Sequence, residues 1–156
     1  MDEQFIQNLI DTLLRIYPPD PTPQEDFEVI EHELGVRLPT DLRRLGTVYA
    51  GGAVGGIPHY DFTLEHPEES VTQHTLRLRA AINLPDRYVV LSEPPASLVV
   101  LDTRADAAGA SRVIWLSQVD AQRLSTGEAF LAKSVIYPSY ADFFAEMLAG
   151  EEGNHS

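Results

Sequence analysis

The stretch Ile30-Glu31-His32-Glu33-Leu34-Gly35-Val36-Arg37-Leu38-Pro39-Thr40-Asp41-Leu42-Arg43-Arg44-Leu45, followed shortly by Gly51-Gly52, holds two helices and the corner between them. Phe27, Ile30 and Leu34 supply an apolar stripe at helical spacing, and Gly35 suits the left-handed residue that ends a helix. Leu38 can pack back onto the helix it leaves, and Pro39 with Thr40 belongs in the first turn of the next. Leu42, Leu45, Val48 and Tyr49 continue the inward face until Gly51-Gly52 stops it. A glycine and proline corner accounts for every residue of the run, so the motif Gly35, Leu38, Pro39, Gly51 and Gly52 reads as structural.

Upstream, Phe5, Ile6, Leu9, Ile10, Leu13 and Leu14 recur at three- and four-residue spacing, the pattern of an amphipathic helix that stops at Tyr17. Pro18-Pro19-Asp20-Pro21-Thr22-Pro23 cannot supply a continuous set of helical donors and forms a stiff, extended connector. Thr22 reads as an N-cap, with Pro23 at the first helical position and Glu25 completing a capping box.

Downstream, Ile57 to Leu64 is a candidate first strand. Val71 to Ala81 reads as a helix, although the alternation Leu76-Arg77-Leu78-Arg79 also fits a strand. The period then changes: Arg87 to Leu91, Leu98 to Leu101 and Arg112 to Leu116 are short β-branched or aromatic runs separated by turn residues, an antiparallel meander. Tyr140, Phe143, Phe144, Met147 and Leu148 return to helical spacing and can cover one sheet face. The expected architecture is α+β: N-terminal helices, a central mainly antiparallel sheet, and a C-terminal helix packed on it. Its core takes Phe27, Ile30, Leu34, Leu38, Leu45, Val89, Leu91, Val99, Leu101, Ile114, Trp115, Phe143, Phe144 and Leu148. With 156 residues, the chain is expected to form one domain over 1–150 and a polar tail over 151–156.

Composition narrows the function classes. Cysteine is absent, which excludes disulfides, thiolate metal sites and cysteine nucleophiles. Eleven Lys and Arg stand against 24 Asp and Glu, a net charge of −13. That field repels phosphate backbones and anionic membranes and favours basic partners. It also favours a monomer or a weak homodimer. The N-terminus lacks a basic region followed by an apolar run, and no window approaches 18 apolar residues, so the expected location is the cytoplasm.

Residues 30–52 resemble the helix–Leu-Gly-Val-x-Leu-Pro-x-Asp–helix–Gly-Gly signature of the SUKH superfamily. The later order is similar too: a Tyr-Val-Val strand, a Val-Val-Leu-Asp strand ending in Asp102, a Val-Ile-Trp strand with Trp115, and a terminal Ser-x-x-x-Phe-Phe-x-x-x-Leu helix containing Phe144. The sequence departs from the family at Leu42, where an aromatic residue is common. The superfamily includes bacterial immunity proteins against polymorphic toxins and fungal cell-wall regulators. The resemblance implies a non-enzymatic binding protein without a cofactor, an immunity protein whose partner is a toxin domain, and the negative charge adds that this partner has a basic surface; the alternatives are a regulatory or scaffold module binding a cellular protein and a small-ligand binder.

Gly51 to Gly56 invites a phosphate-loop reading, but the run follows a helix, lacks a Gly-Lys-Ser/Thr ending and sits in an acidic chain. His59, Asp61, His66 and His74 lie close enough in sequence to gather round a metal, yet no pair has the His-Glu-x-x-His spacing. No Gly-x-Ser-x-Gly elbow exists. Charge is the more informative signal: residues 1–34 hold nine acids against Arg15, a net −8, residues 35–64 carry +1, and the remainder −6. Asp61, Glu65, Glu68 and Glu69, on the loop after the Gly-Gly corner, are the candidate partner-binding residues, because loops on a rigid scaffold carry binding groups.

Overall fold

The structure, a computed structural model, describes residues 3–106, 109–126 and 134–155. Helix α1 (Glu3–Ile16) buries Ile6, Leu9, Ile10 and Leu13, with Glu3 in its first turn and Arg15 in its last, the charges that its dipole favours. Leu14, expected in the same stripe, lies exposed. Helix α2 (Gln24–Leu34) buries Phe27, Ile30 and Leu34 and ends on Gly35 at φ 68°, the left-handed cap read from the sequence. Thr22 does not cap it; the buried Thr22 hydroxyl donates instead to the Tyr49 carbonyl at 3.2 Å, and Pro23 stands just before the helix. Helix α3 (Thr40–Leu45) is shorter than its apolar pattern suggests, because Gly46 packs so closely under the Phe27 ring that the chain turns there.

The segment 57–64 is not a strand. Its amides point to separate partners: Tyr60 N–H donates to Leu91, Asp61 to Glu69 and Phe62 to Ala50, so no ladder forms. Helix α4 (Val71–Ile82) resolves the ambiguity in favour of a helix, capped by Ser70, whose hydroxyl oxygen accepts from Gln73 N–H at 3.1 Å. Strands β1 (Tyr88–Ser92), β2 (Ser97–Asp102) and β3 (Val113–Ser117) form the expected antiparallel meander, and a short β4 (Val135–Tyr137) extends it beyond β3. A short helix α5 (Gln118–Ala121) follows β3, and α6 (Tyr140–His155) closes the chain. The α6 helix runs on through residues 151–155, which composition alone reads as a tail. No helix among the described residues is long and apolar enough to cross a membrane.

Both faces of the sheet are covered. On one, Val89, Leu91, Val99, Leu101 and Val113 meet α1, α2, α3 and α6. On the other, Tyr88, Val90, Val100, Ile114 and Leu116 meet Leu78, Leu84, Ala121 and Leu124. This is why β1 and β2 are almost wholly apolar and not alternating. Ile114, expected in helix-to-sheet burial, is fully buried in the second layer, which includes Leu78 of α4 and Ala121. Trp115 is only half-buried, since β4 beside it is short and exposes Val135 and Ile136. At the sheet end, buried Asp102 faces three arginines: Arg112 Nε at 3.0 Å, Arg87 at 3.6 Å and Arg104 at 3.7 Å. The outer edge of β1 is covered too: Val90 N–H donates to Thr75 Oγ1 at 2.9 Å, and the Ser92 hydroxyl donates to the Pro58 carbonyl.

Two buried polar residues join the helices to this frame. Asp41 Oδ1 accepts from Leu42 N–H at 2.8 Å and Oδ2 from Ala141 N–H at 2.9 Å, so one carboxylate serves the first turns of both α3 and α6. Burial raises its pKa against those hydrogen bonds. His59 sits among Tyr49, Phe62 and Tyr140, with ring centroids 5.1–6.0 Å away. Its Nδ1 faces the Tyr60 carbonyl at 2.7 Å and its Nε2 the Tyr140 hydroxyl at 2.9 Å. The carbonyl can only accept, which assigns the proton to Nδ1 and makes Tyr140 the donor to Nε2. Burial pushes the His59 pKa down to about 4.

Asp41→Asn keeps the shape but replaces one acceptor with a donor, leaving Leu42 or Ala141 N–H unpaired; a loss of about 1–3 kcal/mol in urea unfolding at neutral pH is expected. An unchanged midpoint would remove the carboxylate from its place between the two helices. For His59 the sign follows from a folded pKa below the ordinary 6.5: the contribution is intact above pH 6.5 and is lost as pH falls towards 4, by about 3 kcal/mol in all. The stability of His59→Phe should accordingly fall less between pH 7 and pH 4 than that of the wild type, and parallel pH profiles would contradict the assignment.

Candidate acidic binding site

Residues 16–36 and residues 45–76 contain no Lys or Arg. The fold brings them face to face. The proline connector runs back along the end of α3, with Asp20 N–H donating to Val48 at 3.0 Å and Thr22 N–H to Gly46 at 2.8 Å. This sets Asp20 and Asp26 across from the loop that carries Asp61 and Glu65, and the four carboxylates, with His66, line a cleft of about 220 Å³. Asp26 Oδ2 accepts from Leu64 N–H at 3.3 Å and so ties α2 to that loop.

A second cleft of about 270 Å³ opens on the other side of Asp61, between Glu69, Glu93 and the Gly52-Ala53 backbone. Asp61 is thus the partition between the two. Gly51 makes this geometry available: its backbone passes so close to Asp61 and Tyr60 that a Cβ would fall 2.5 Å from Asp61 Oδ1, and its φ of 130° is open to few other residues. Burial raises the Asp61 pKa, and the neighbouring Glu69, Asp20 and Glu65 charges raise it further, while His66 acts in the opposite sense.

Of the four residues expected to bind a partner, the structure gathers three. Asp61 and Glu65 share one cleft, and Asp61 and Glu69 the other. Glu68 lines neither; it stands exposed on the 3₁₀ turn Pro67–Glu69, where its carbonyl accepts from His74 Nε2 at 3.0 Å. Asp20 and Asp26 were missed. Their number in the N-terminal charge count was visible, but their place opposite Asp61 depends on the connector folding back.

The distribution of cations separates this surface from the rest of the molecule. Glu31 pairs with Arg43, Glu93 with Arg77, Asp86 with Arg79, and Asp102 with its three arginines. Asp20, Asp26, Asp61, Glu65 and Glu69, the carboxylates that line the two clefts beside Glu93, make no ion pair with any described residue. Five carboxylates without cationic partners around two adjoining concavities can hold a basic side chain.

The histidines do not meet. His59 is in the aromatic core, His66 is on the cleft rim, and His74 stacks on Tyr60 with ring centroids 3.8 Å apart. Among the described residues no three His, Asp or Glu side chains form a metal-holding group. The glycine run does bind an anion, but an internal one: Gly55 N–H donates to Glu151 Oε2 at 2.8 Å, and a Cβ on Gly55 would strike the Met147 carbonyl of α6.

No curated protein matches the chain. A family model does: the one described as SUKH_5, SMI1-KNR4 cell-wall, matches residues 3–131, from the start of α1 past the end of α5. That span takes in the Gly35–Pro39 corner, the proline connector and the acid-bearing loop, and it covers most of the 156 residues; the chain belongs to the SUKH superfamily.

Proposed function

We propose that this chain is a non-enzymatic binding protein that captures a protein with a basic surface, and that it acts as an immunity protein occluding a toxin domain. The superfamily supports the coarse part, since its members serve in protein–protein interaction of the SMI1/KNR4 or immunity type and are in general non-enzymatic. The observation that carries the finer part is the set of five carboxylates around Asp61 without a cationic partner among the described residues. A concentration of unpaired negative charge of that kind is stabilised by a partner that supplies the missing cations. A toxin that cuts nucleic acid needs a basic cleft, and an acidic protein is steered onto such a cleft and excludes the substrate.

The wider charge pattern agrees in sense. The net charge of −13 strengthens the long-range field, and no Lys or Arg lies in either stretch that forms the clefts. The reading makes Asp61, Glu65 and Glu69 the centre of the contact, adds Asp20 and Asp26, and puts Glu68 at its rim. The description of the matching family also keeps a cell-wall regulatory partner in view, which the same experiment distinguishes.

Tagged protein should retain a basic protein from its source cells at low salt and release it at high salt. Glu65→Lys with Glu69→Lys, both exposed and unpaired, should weaken that capture by about tenfold or more without lowering thermal stability. If the purified captured protein is a nuclease or another toxin, adding the wild type should abolish its activity; a regulatory partner would retain its own. Capture that is indifferent to both salt and charge reversal would overturn the reading.

A further inference from the structure

A third concavity, of about 390 Å³, adjoins the acidic clefts and differs from them in chemistry. Leu13, Tyr17, Pro18, Pro19, Val48 and Val54 give it an apolar lining. Asp20 lines both this groove and the four-carboxylate cleft, and Gly52 with Ala53 links it to the cleft of Glu69. No Lys or Arg lines it.

The groove is built before any ligand arrives. Asp20 N–H to Val48 fixes the proline segment, the Tyr49 hydroxyl holds the Gly52 carbonyl at 2.5 Å, and Gly55 N–H to Glu151 anchors the chain after Val54 to α6. Proline has no side-chain freedom to lose when a ligand packs on it, so contact along Pro18 and Pro19 costs little ordering. Asp20 is exposed and makes no ion pair with a described residue, and Glu151 hydrogen-bonds the Tyr17 hydroxyl, raising its pKa after burial has done so.

An apolar trough with a carboxylate in its lining matches one kind of side chain: a long alkyl stem with a cationic head. We infer that this groove seats an arginine or lysine from an extended segment of the protein partner, its stem lying over Tyr17, Val48 and Ala53 and its charge meeting Asp20. The inference rests on the protein-binding reading above and adds to it a position and a side-chain class. Arginine and lysine stems pack on apolar surface while the head stays at a charge, and the guanidinium also suits the planar Tyr17 ring. An acidic or neutral polar occupant would face Asp20 and Glu151 unfavourably, and a purely aliphatic one would leave the Asp20 carboxylate desolvated without a partner.

The probe is the peptide acetyl-Leu-Arg-Leu-amide, compared with its citrulline counterpart, which keeps the shape and removes the charge. Titrated into the full ¹⁵N-labelled chain, the arginine peptide should give saturable shifts at Val48, Gly51, Gly52 and Ala53, with citrulline about three- to fivefold weaker, the scale of one exposed charge pair. Asp20→Asn should remove that difference, and Ala53→Trp, at an exposed position, should block the shifts. Equal affinity for the two peptides, or shifts that survive Ala53→Trp, would overturn the inference. Capture of the cellular partner separates the two readings: a partner lost with Glu65→Lys and Glu69→Lys but retained by Ala53→Trp keeps the binding function and refutes the groove. Absence of any basic partner refutes the binding function, while the peptide titration still decides the groove.

Discussion

Asp41 sets the constraint on which the rest of the structure hangs. A helix start leaves backbone N–H groups without partners, and here two helix starts separated by a hundred residues share one buried carboxylate. The helical corner at Gly35–Pro39 presents Asp41 at the correct point, and α6 can begin only where Ala141 reaches it. Once α6 is fixed there, its length carries Met147 and Gly150 onto the Gly55 turn and Glu151 onto the Gly55 amide. The glycine loop, the proline connector and the clefts between them are thus positioned from the far end of a single hydrogen-bonded junction.

The balance of buried charge follows a consistent division. Where a carboxylate lies inside, the protein supplies the compensation: backbone amides for Asp41, three guanidinium groups for Asp102. Around Asp61, no described Lys or Arg pairs with Asp20, Asp26, Asp61, Glu65 or Glu69. A protein whose arginines are gathered at the sheet end and along the helices, and withheld from one concave surface, concentrates its negative potential there. The histidines obey the same division, with His59 kept neutral by the aromatic core and His74 held flat against Tyr60.

Much of this was legible in the residues themselves. The corner could be read because glycine takes a left-handed cap more readily than any other residue and proline fixes a helix start, and β1 to β3 because unbroken apolar runs of four residues suit a sheet buried on both faces. β4 was not legible: Val135–Tyr137 is three residues long and owes its strand geometry to pairing with β3. Ile57 to Leu64 misleads in the opposite direction, since its apolar alternation serves separate tethers to Leu91, Ala50 and Glu69. The acidic loop could be located from charge and position, whereas Asp20 and Asp26 required knowing that the connector doubles back onto Gly46 and Val48, a contact no local pattern encodes.

The same tethers have a consequence for how freely this surface can change. The loop from Gly51 to Ser70 is fastened through main-chain groups to the sheet edge, to Ala50 and to the start of α4: Tyr60 to Leu91, Phe62 to Ala50, Val71 to Asp61, with Gly52 to His59 inside the loop. Its exposed side chains therefore contribute little to holding it in place. Glu65, Glu68 and Glu69 can be exchanged for residues of another size or sign while the loop path persists, so the scaffold separates the identity of its contact residues from its own folding. A fold arranged in this way can acquire a new partner by substitution alone, with no cost to the core that presents it.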